Sequence, residues 1–306
     1  MEARRFRAAL IAAAALALLG ANYRTPNFVV QTADPALAEQ FAKAAETYRR
    51  DLAVAWTGEA MPDWYQPCMM TVQVGEHLGA GGATSFLFDR GEVYGWRMNI
   101  QGSAQRVLDS VLPHEITHMI FASHFRAPLP RWADEGGATN CECPSEQMKH
   151  RQMLVQFLQT GRGIAFSDMF VMTEYPADVM PLYAQGHSLV DYLLQHGGRH
   201  KYVAFLGDGM QTHDWAAALQ KWYGINSLAN LQNDWVGWVA KGCPRLQQTP
   251  TETAPDTQFA STRRSRPEPN LVYQVANPSG PATAEPLQTQ AARPQPIQRP
   301  GQVIVE

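Results

Sequence analysis

The chain is poor in charge, and it lacks the basic surface of a nucleic-acid-binding protein. Charged residues make up 17% of its 306 residues, below the quarter that is usual for a globular chain, and the formal net charge is −3. No stripe of lysine and arginine offsets this balance. Nucleic acid is therefore not expected as a partner, because binding to it depends on concentrated positive charge.

Long apolar runs are also scarce, and the one that stands out is at the N-terminus. Ala8–Leu19 is apolar, follows three arginines within the first seven residues, and is followed by the small residues Gly20 and Ala21. The run is shorter than a comfortable membrane span but suits a secretory signal. We expect a signal peptide over residues 1–21 and an exported protein, periplasmic or extracellular, with no stable membrane span after cleavage. An uncleaved signal anchor is the alternative.

Cysteines are few and do not follow a zinc-binding pattern. Four cysteines in an exported chain permit disulfides, and three pairings are possible. Two of them, Cys141 and Cys143, are too close to pair easily with each other, whereas bridges to Cys68 and Cys243 are possible. No pair of spaced C-x-x-C motifs is present, so structural roles are favoured over metal roles.

Periodicity divides the remaining chain into a strand-rich first part and a helical second part. Short β-rich runs flank a helix that begins at Asp34, and a hairpin or a meander is expected across Asp89–Gly91. A long helical pattern runs from Ser103 to His124, in which Pro113 marks either a kink or the first turn of a new helix near Ser110. Residues 145–242 are mostly helical. The Pro/Gln-rich residues 244–306 have the composition of a disordered tail, although Gln302–Val305 could form a docking strand.

Within the long helical pattern lies an H-E-x-x-H motif. His114 and His118 are four residues apart, so both imidazoles lie on one helical face and can reach one zinc ion at about 2.0–2.1 Å. Glu115 is rotated away from His114 and can flank the metal as a general base without ligating it. Serine hydrolysis is not supported, because no serine lies in a G-x-S-x-G context.

A catalytic zinc needs a third protein ligand and one open position. No H-x-x-G-x-x-H extension follows His118, which argues against a metzincin. Instead, a segment reading P-R-W-A-D-E-G-G-A follows, and sixteen residues separate His118 from Glu135. This is enough for one helix to end and a second to pass the metal. Asp134, adjacent to Glu135, is a rival third ligand.

Together, H-E-x-x-H and W-x-x-E-G resemble the gluzincin metallopeptidases of the peptidase MA clan, which includes thermolysin and the zinc aminopeptidases. The closer resemblance is to exported bacterial peptidase-MA-like proteins with L-P-H-E-x-T-H and L-P-R-W-x-x-E-G. It spans about residues 27–242. It implies that His114, His118 and Glu135 hold one Zn²⁺ per chain and that Glu115 is the general base. The G-x-M-E-N type of substrate strand is not found.

The resemblance also suggests supporting residues. Gluzincins often stabilise the oxyanion with a Tyr or His downstream of the metal helices, which points to Tyr183 first and His187 second. Their edge strand pairs with extended substrate, a part that Val93–Ile100 could play. Thr139 and Glu142 lie on the helical face of Glu135, where either could hold a zinc histidine.

We therefore expect an α+β, zincin-like fold: a small, mainly antiparallel twisted sheet on the H-E-x-x-H helix, and a helical C-terminal subdomain. The domain should cover residues 22–243. The expected function is zinc-dependent hydrolysis of a peptide or protein substrate. A zinc-binding but non-proteolytic envelope module and a structural protein with an accidental motif are the alternatives. The oligomeric state is left open.

Overall fold

The computed structural model describes residues 21–246 and 302–305. The predicted signal peptide, apart from Ala21, and residues 247–301 of the predicted tail lie outside the described residues. The strands are β1 (Ala21–Arg24), β2 (Phe28–Thr32), β3 (Cys68–Val74), β4 (Gly81–Asp89), β5 (Glu92–Gly102) and β6 (Gln302–Val305). The helices are α1 (Pro35–Thr57), α2 (Ala104–Arg106), α3 (Leu112–Phe125), α4 (Arg131–Thr139), α5 (Pro144–Gln159), α6 (Phe166–Met169), α7 (Met180–Gln195), α8 (Gly198–Thr212), α9 (Trp215–Tyr223) and α10 (Leu228–Ala240).

These elements form an α+β fold, as predicted, but the sheet is mixed rather than mainly antiparallel. Its strand order is β1-β2-β3-β5-β4-β6. β2 pairs with β3 in parallel, and so does β3 with β5. The parallel β2–β3 pair follows from α1, because a helix that connects two strands returns the chain to the same end of the sheet.

The hairpin between β4 and β5 is confirmed. Asp89 pairs with Glu92, which leaves Arg90 and Gly91 as a two-residue turn. Both turn residues have positive φ, 51° and 78°, as a turn that matches the twist of an antiparallel hairpin requires. Strand β4 begins at Gly81.

The strand predicted to receive substrate is not at an edge of the sheet. Val93–Ile100 lies within β5, which is flanked by β3 on one side and β4 on the other. That prediction was wrong, because strand order depends on long-range pairing that local alternation does not encode. The outer side of β4 instead pairs antiparallel with β6, from Thr84 opposite Val305 to Leu87 opposite Gln302.

Helix α3 carries the H-E-x-x-H motif through the centre of the fold. Ser103 caps the helical segment that precedes it, as predicted. Between α2 and α3 the chain widens into one π-helical turn, Val107–Val111, in which the Leu112 N–H bonds to the Val107 carbonyl. Pro113 then lies in the first turn of α3, where its missing N–H costs little. Ile116, Met119 and Ile120 are fully buried.

Two further observations concern membrane and redox context. Within residues 21–246 and 302–305, no helix combines the length and apolar character needed to cross a bilayer. All four cysteines are free thiols, so none of the disulfides that the sequence permits is formed.

Candidate metal centre

The two histidines of the motif converge on one carboxylate from the next helix. His114 and His118 are one turn apart on α3, with ring centroids 4.9 Å from each other. The Oε2 atom of Glu135, on α4, lies 3.5 Å from His114 Nε2 and 3.7 Å from His118 Nε2. Ligands bound tetrahedrally at 2.0–2.1 Å are about 3.3 Å apart. The three side chains are therefore spaced as ligands of one small cation would be.

The other nitrogen of each imidazole is held by a carboxylate. His114 Nδ1 lies 2.7 Å from Glu142 Oε1, and His118 Nδ1 lies 2.7 Å from Asp134 Oδ1. A proton on each Nδ1 satisfies these bonds and leaves the Nε2 lone pairs facing Glu135. This outer carboxylate support is typical of metal-binding histidines.

Those contacts bear on the two alternatives that the sequence left open. Asp134 Oδ1 contacts Nδ1 of His118, while Glu135 faces both Nε2 atoms, so the geometry favours Glu135 over Asp134 as the third candidate ligand. Glu142 holds His114, as its position on the face of Glu135 predicts. The Thr139 hydroxyl is buried without a hydrogen-bond partner in the described part of the chain.

Buried atoms without partners point into the same space. His118 Nε2 and Glu135 Oε2 are shielded from solvent and have no hydrogen-bond partner within the described residues. Burying such groups unpaired is costly. The ligand atoms of His114, His118 and Glu135 lie within 4.8 Å of one another, and the three residues could hold a metal ion. A cation would satisfy both of the unpartnered atoms.

Glycines bring α4 close enough to place Glu135. A Cβ at Gly136 would approach the Gly186 carbonyl oxygen of α7 to 2.5 Å, and one at Gly186 would approach the Trp132 carbonyl to 2.7 Å. Only residues without side chains allow the two backbones to meet in this way. Gly136 of the W-x-x-E-G segment and Gly186 of α7 therefore fix the distance between the two helices.

Glu115 lies beside the three candidate ligands, under strand β4. Its Oε2 accepts a 2.6 Å hydrogen bond from the Thr84 hydroxyl, and its side chain packs on the backbone of Gly82. Burial raises the pKa of Glu115, although His114, His118 and the Thr84 hydroxyl oppose that shift. A carboxyl group whose pKa is raised is better matched to proton transfer near neutral pH.

The charges of the cluster shift the pKa values of the ligand residues. Burial alone would lower the pKa of His114, but the nearby carboxylates of Glu135 and Glu142 outweigh burial and raise that pKa well above the usual value. Burial likewise opposes the raised pKa of His118, which Asp134 and Glu135 cause. Glu135 has a lowered pKa, because the two histidines outweigh its burial.

Two tyrosines complete the wall of the site. The Tyr175 hydroxyl donates a hydrogen bond to Glu135 Oε1. Tyr183, at the start of α7, is hydrogen bonded to Glu135 and lies close enough to Glu115 for the two to interact electrostatically. The two rings are nearly parallel, 14° apart, with centroids 6.5 Å from each other. Burial raises the pKa of both hydroxyls, so both stay protonated donors.

The structure brings Tyr183 into the site but places His187 elsewhere. His187 is one turn further along α7 and fully buried, with its ring centroid 6.0 Å from that of His150. Neither of its ring nitrogens has a hydrogen-bond partner within the described residues. Burial lowers the pKa of His187 to about 3, with smaller contributions from His150 and Arg151. It is therefore a neutral, buried imidazole.

Sequence reasoning did not find Tyr175, Thr84 or Gly82. Tyr175 lies in the loop between α6 and α7, in a region predicted to be mostly helical. The Arg131 guanidinium stacks 4.3 Å above its ring and donates to the Thr173 carbonyl, which anchors this loop to the start of α4. No periodicity marks such a residue, because its position depends on the loop path.

Comparison with known proteins adds no family to this description. No protein-family model, no curated protein and no solved structure matches the chain. What the site can do therefore follows from its own geometry: two histidines and a glutamate spaced for one metal ion, beside a buried carboxylate and two tyrosine hydroxyls.

Proposed function

We propose that the chain is a zinc-dependent metallopeptidase of the gluzincin type, exported to the periplasm or the exterior, with a peptide or protein substrate. One observation carries the proposal. The three inward-facing atoms of His114, His118 and Glu135 converge, and Glu115 lies next to them without a metal-ligand role of its own. Two imidazoles and one carboxylate form a donor set typical of catalytic zinc.

A zinc ion held there would polarise a peptide carbonyl and lower the pKa of water toward 7. Glu115 accepts the proton of the attacking water and returns it to the leaving amine. Thr84 orients the Glu115 carboxylate for both transfers through its 2.6 Å hydrogen bond. Tyr183 donates its hydroxyl proton in a hydrogen bond to the oxyanion, which is one of the larger contributions to catalysis of this kind.

Zinc content and the role of Glu115 test the proposal together. The purified chain should bind about one zinc ion, and Glu135→Ala should weaken or abolish that binding. Glu115→Gln should keep the zinc and lose cleavage of a peptide library by about 100-fold or more. Zinc-loaded Glu115→Gln that cleaves as fast as the unaltered chain would contradict the mechanism. A chain that folds without binding zinc would contradict the proposal itself.

A zinc-binding, non-proteolytic envelope module is the second candidate, and the coverage of the site supports it. Glu135 is fully buried, His118 is 1% exposed, and β6 pairs along the strand that touches Glu115. Such a module would bind one zinc ion with the same three ligands. It would cleave no member of the peptide library, with or without Glu115, and zinc removal would change its stability alone.

A further inference from the structure

Strand β4 passes directly over the candidate general base. Its residues Gly82 and Thr84 both touch Glu115, through backbone packing and through a hydrogen bond. One side of β4 pairs with β5, which leaves the opposite side as the edge of the sheet formed by β1 to β5. An extended polypeptide that adds to this edge would therefore run alongside the metal centre.

The chain's own C-terminal strand lies on that edge. β6 pairs with β4 over four consecutive residues, and the pairing is antiparallel. Val305 is opposite Thr84, whose hydroxyl contacts Glu115, while Gln302 is opposite Leu87, three residues further along β4. β6 therefore approaches the metal centre with its C-terminal end first. Main-chain hydrogen bonds supply the affinity in strand addition of this kind, so the edge can accept other extended segments as well.

From this arrangement we infer that β6 is an intramolecular competitor for extended polypeptide at the outer edge of β4. The consequence, that β6 excludes a peptide substrate, rests on the proposed function. One edge offers one set of free N–H and C=O groups, so β6 and a second strand cannot both pair with residues 84–87.

The tether makes this competition effective even when strand pairing is weak. Fifty-five residues, 247–301, connect the helical region to β6. Because β6 belongs to the same molecule, its effective concentration at β4 is set by the covalent connection and does not fall on dilution. A peptide from solution must displace β6 before it can pair with β4. The apparent Kd of that peptide is therefore raised by a factor of one plus the ratio of the effective concentration of β6 to the intrinsic Kd of β6.

Two adjacent prolines can remove β6 from the edge without touching the metal centre. The test variant carries both Val303→Pro and Ile304→Pro. Successive residues of a strand direct their N–H groups to opposite sides, so one of the two prolines must remove a hydrogen-bond donor to β4. Thr289→Pro with Gln290→Pro is the matched control, because it places the same change in the tether. A chain that lacks residues 302–306 is the second test variant.

The probe is a fluorescein-labelled peptide with the sequence of residues 300–306. Fluorescence anisotropy should show that it binds the β6 proline variant and the shortened chain at least about threefold more tightly than the unaltered chain and the tether control, as expected for a tethered competitor. Hydrogen exchange at residues 84–87 should be faster in both β6 variants. Equal affinity and equal exchange in all four chains would overturn the inference, as would a peptide that binds none of them.

Peptidase assays separate this inference from the proposed function. If the chain cleaves peptides, the β6 variants should show a lower KM by the factor found for the labelled peptide, with kcat unchanged. A KM that does not move while exchange at residues 84–87 increases would overturn the competition. If none of the four chains cleaves any peptide, the proposed function fails, whereas the anisotropy and exchange results still decide whether β6 competes for β4.

Discussion

The Thr84 hydroxyl donates a 2.6 Å hydrogen bond to Glu115 Oε2, which links strand β4 to the helix of the H-E-x-x-H motif. The same carboxylate packs against Gly82, two residues earlier in β4. The sheet therefore fixes the position of Glu115 from one side, while the candidate metal ligands of α3 and α4 lie on its other side.

A methyl group at position 82 should displace Glu115, the proposed general base. The Cβ of Gly82→Ala would lie 2.5 Å from Glu115 Oε1, so the carboxylate must move. We expect kcat for peptide cleavage to fall by about 100-fold, the lower end of a general base's contribution, with zinc still bound at one per chain. Gly81→Ala is the matched control, because nothing lies within 4 Å of its Cβ. Equal kcat values for the two variants would contradict this role of the strand.

The carboxylates behind the histidines should set metal affinity. Asp134→Asn and Glu142→Gln each weaken a 2.7 Å hydrogen bond to a ligand imidazole. We expect each to reduce zinc affinity by about 10- to 100-fold, as such outer partners usually do. Competition with a chromophoric chelator measures the affinity. Glu146→Gln on α5 changes a carboxylate that pairs with Arg106 and Lys149 instead, and its zinc affinity should remain that of the unaltered chain.

The two tyrosines should have separable effects. Tyr183 lies near both Glu115 and Glu135, so Tyr183→Phe should lower kcat by about 100- to 1,000-fold, the usual cost of losing an oxyanion donor. Tyr175 donates to a candidate metal ligand, so Tyr175→Phe should mainly weaken zinc binding. Steady-state kinetics at saturating zinc, beside a zinc titration, distinguish the two. A normal kcat for Tyr183→Phe would remove it from the mechanism.

Zinc binding should release protons and weaken in acid. The pKa values of His114 and His118 are raised in the metal-free site, whereas a histidine must be neutral to bind a metal. Zinc affinity should therefore fall as the pH is lowered, and the fall should begin above the ordinary histidine pKa of about 6.5, because protons compete with zinc for these imidazoles. Calorimetry in buffers of different ionisation enthalpy counts the released protons. A proton count of zero would contradict the arrangement.

His187 should make the fold sensitive to acid. Its folded pKa of about 3 lies below that of the unfolded chain, so the unfolded state takes up the proton first. The stability that the neutral ring contributes is complete above pH 6.5 and is lost as the pH falls from 6.5 toward 3. Relative to His187→Phe, the metal-free unaltered chain should lose about 1 kcal/mol of unfolding free energy between pH 7 and pH 5.5. Urea denaturation at both values, with a chelator present, measures the difference, and parallel losses in the two chains would refute it.

The parts of the site that the sequence predicts are those encoded within a few residues. The i, i+4 spacing of His114 and His118 follows from helix geometry alone, and the W-x-x-E-G segment marks Glu135. Asp134 could not be assigned in advance, because adjacent carboxylates differ only in which way their side chains turn. Thr84 and Gly82 meet Glu115 through strand order, which depends on pairing between residues far apart in sequence.

Strand order also explains the incorrect prediction for the substrate strand. The residue pattern of Val93–Ile100 alternates as that of an edge strand would. Such alternation indicates which side chains are buried, but it does not indicate which strands lie beside this one in the sheet. Residues 302–305 lie next to β4 in the sheet. Apart from the β-branched residues in that segment, nothing in the local sequence indicates this pairing.

Four carboxylates, Glu115, Asp134, Glu135 and Glu142, surround the two imidazoles of α3. Under the proposed function, this excess of acidic groups makes heat resistance depend on the supply of metal, since a ligand that binds only the folded state stabilises it by about 2.7 kcal/mol at a concentration one hundred times its Kd. The melting temperature of such a zinc protein then reports the free zinc concentration around the chain.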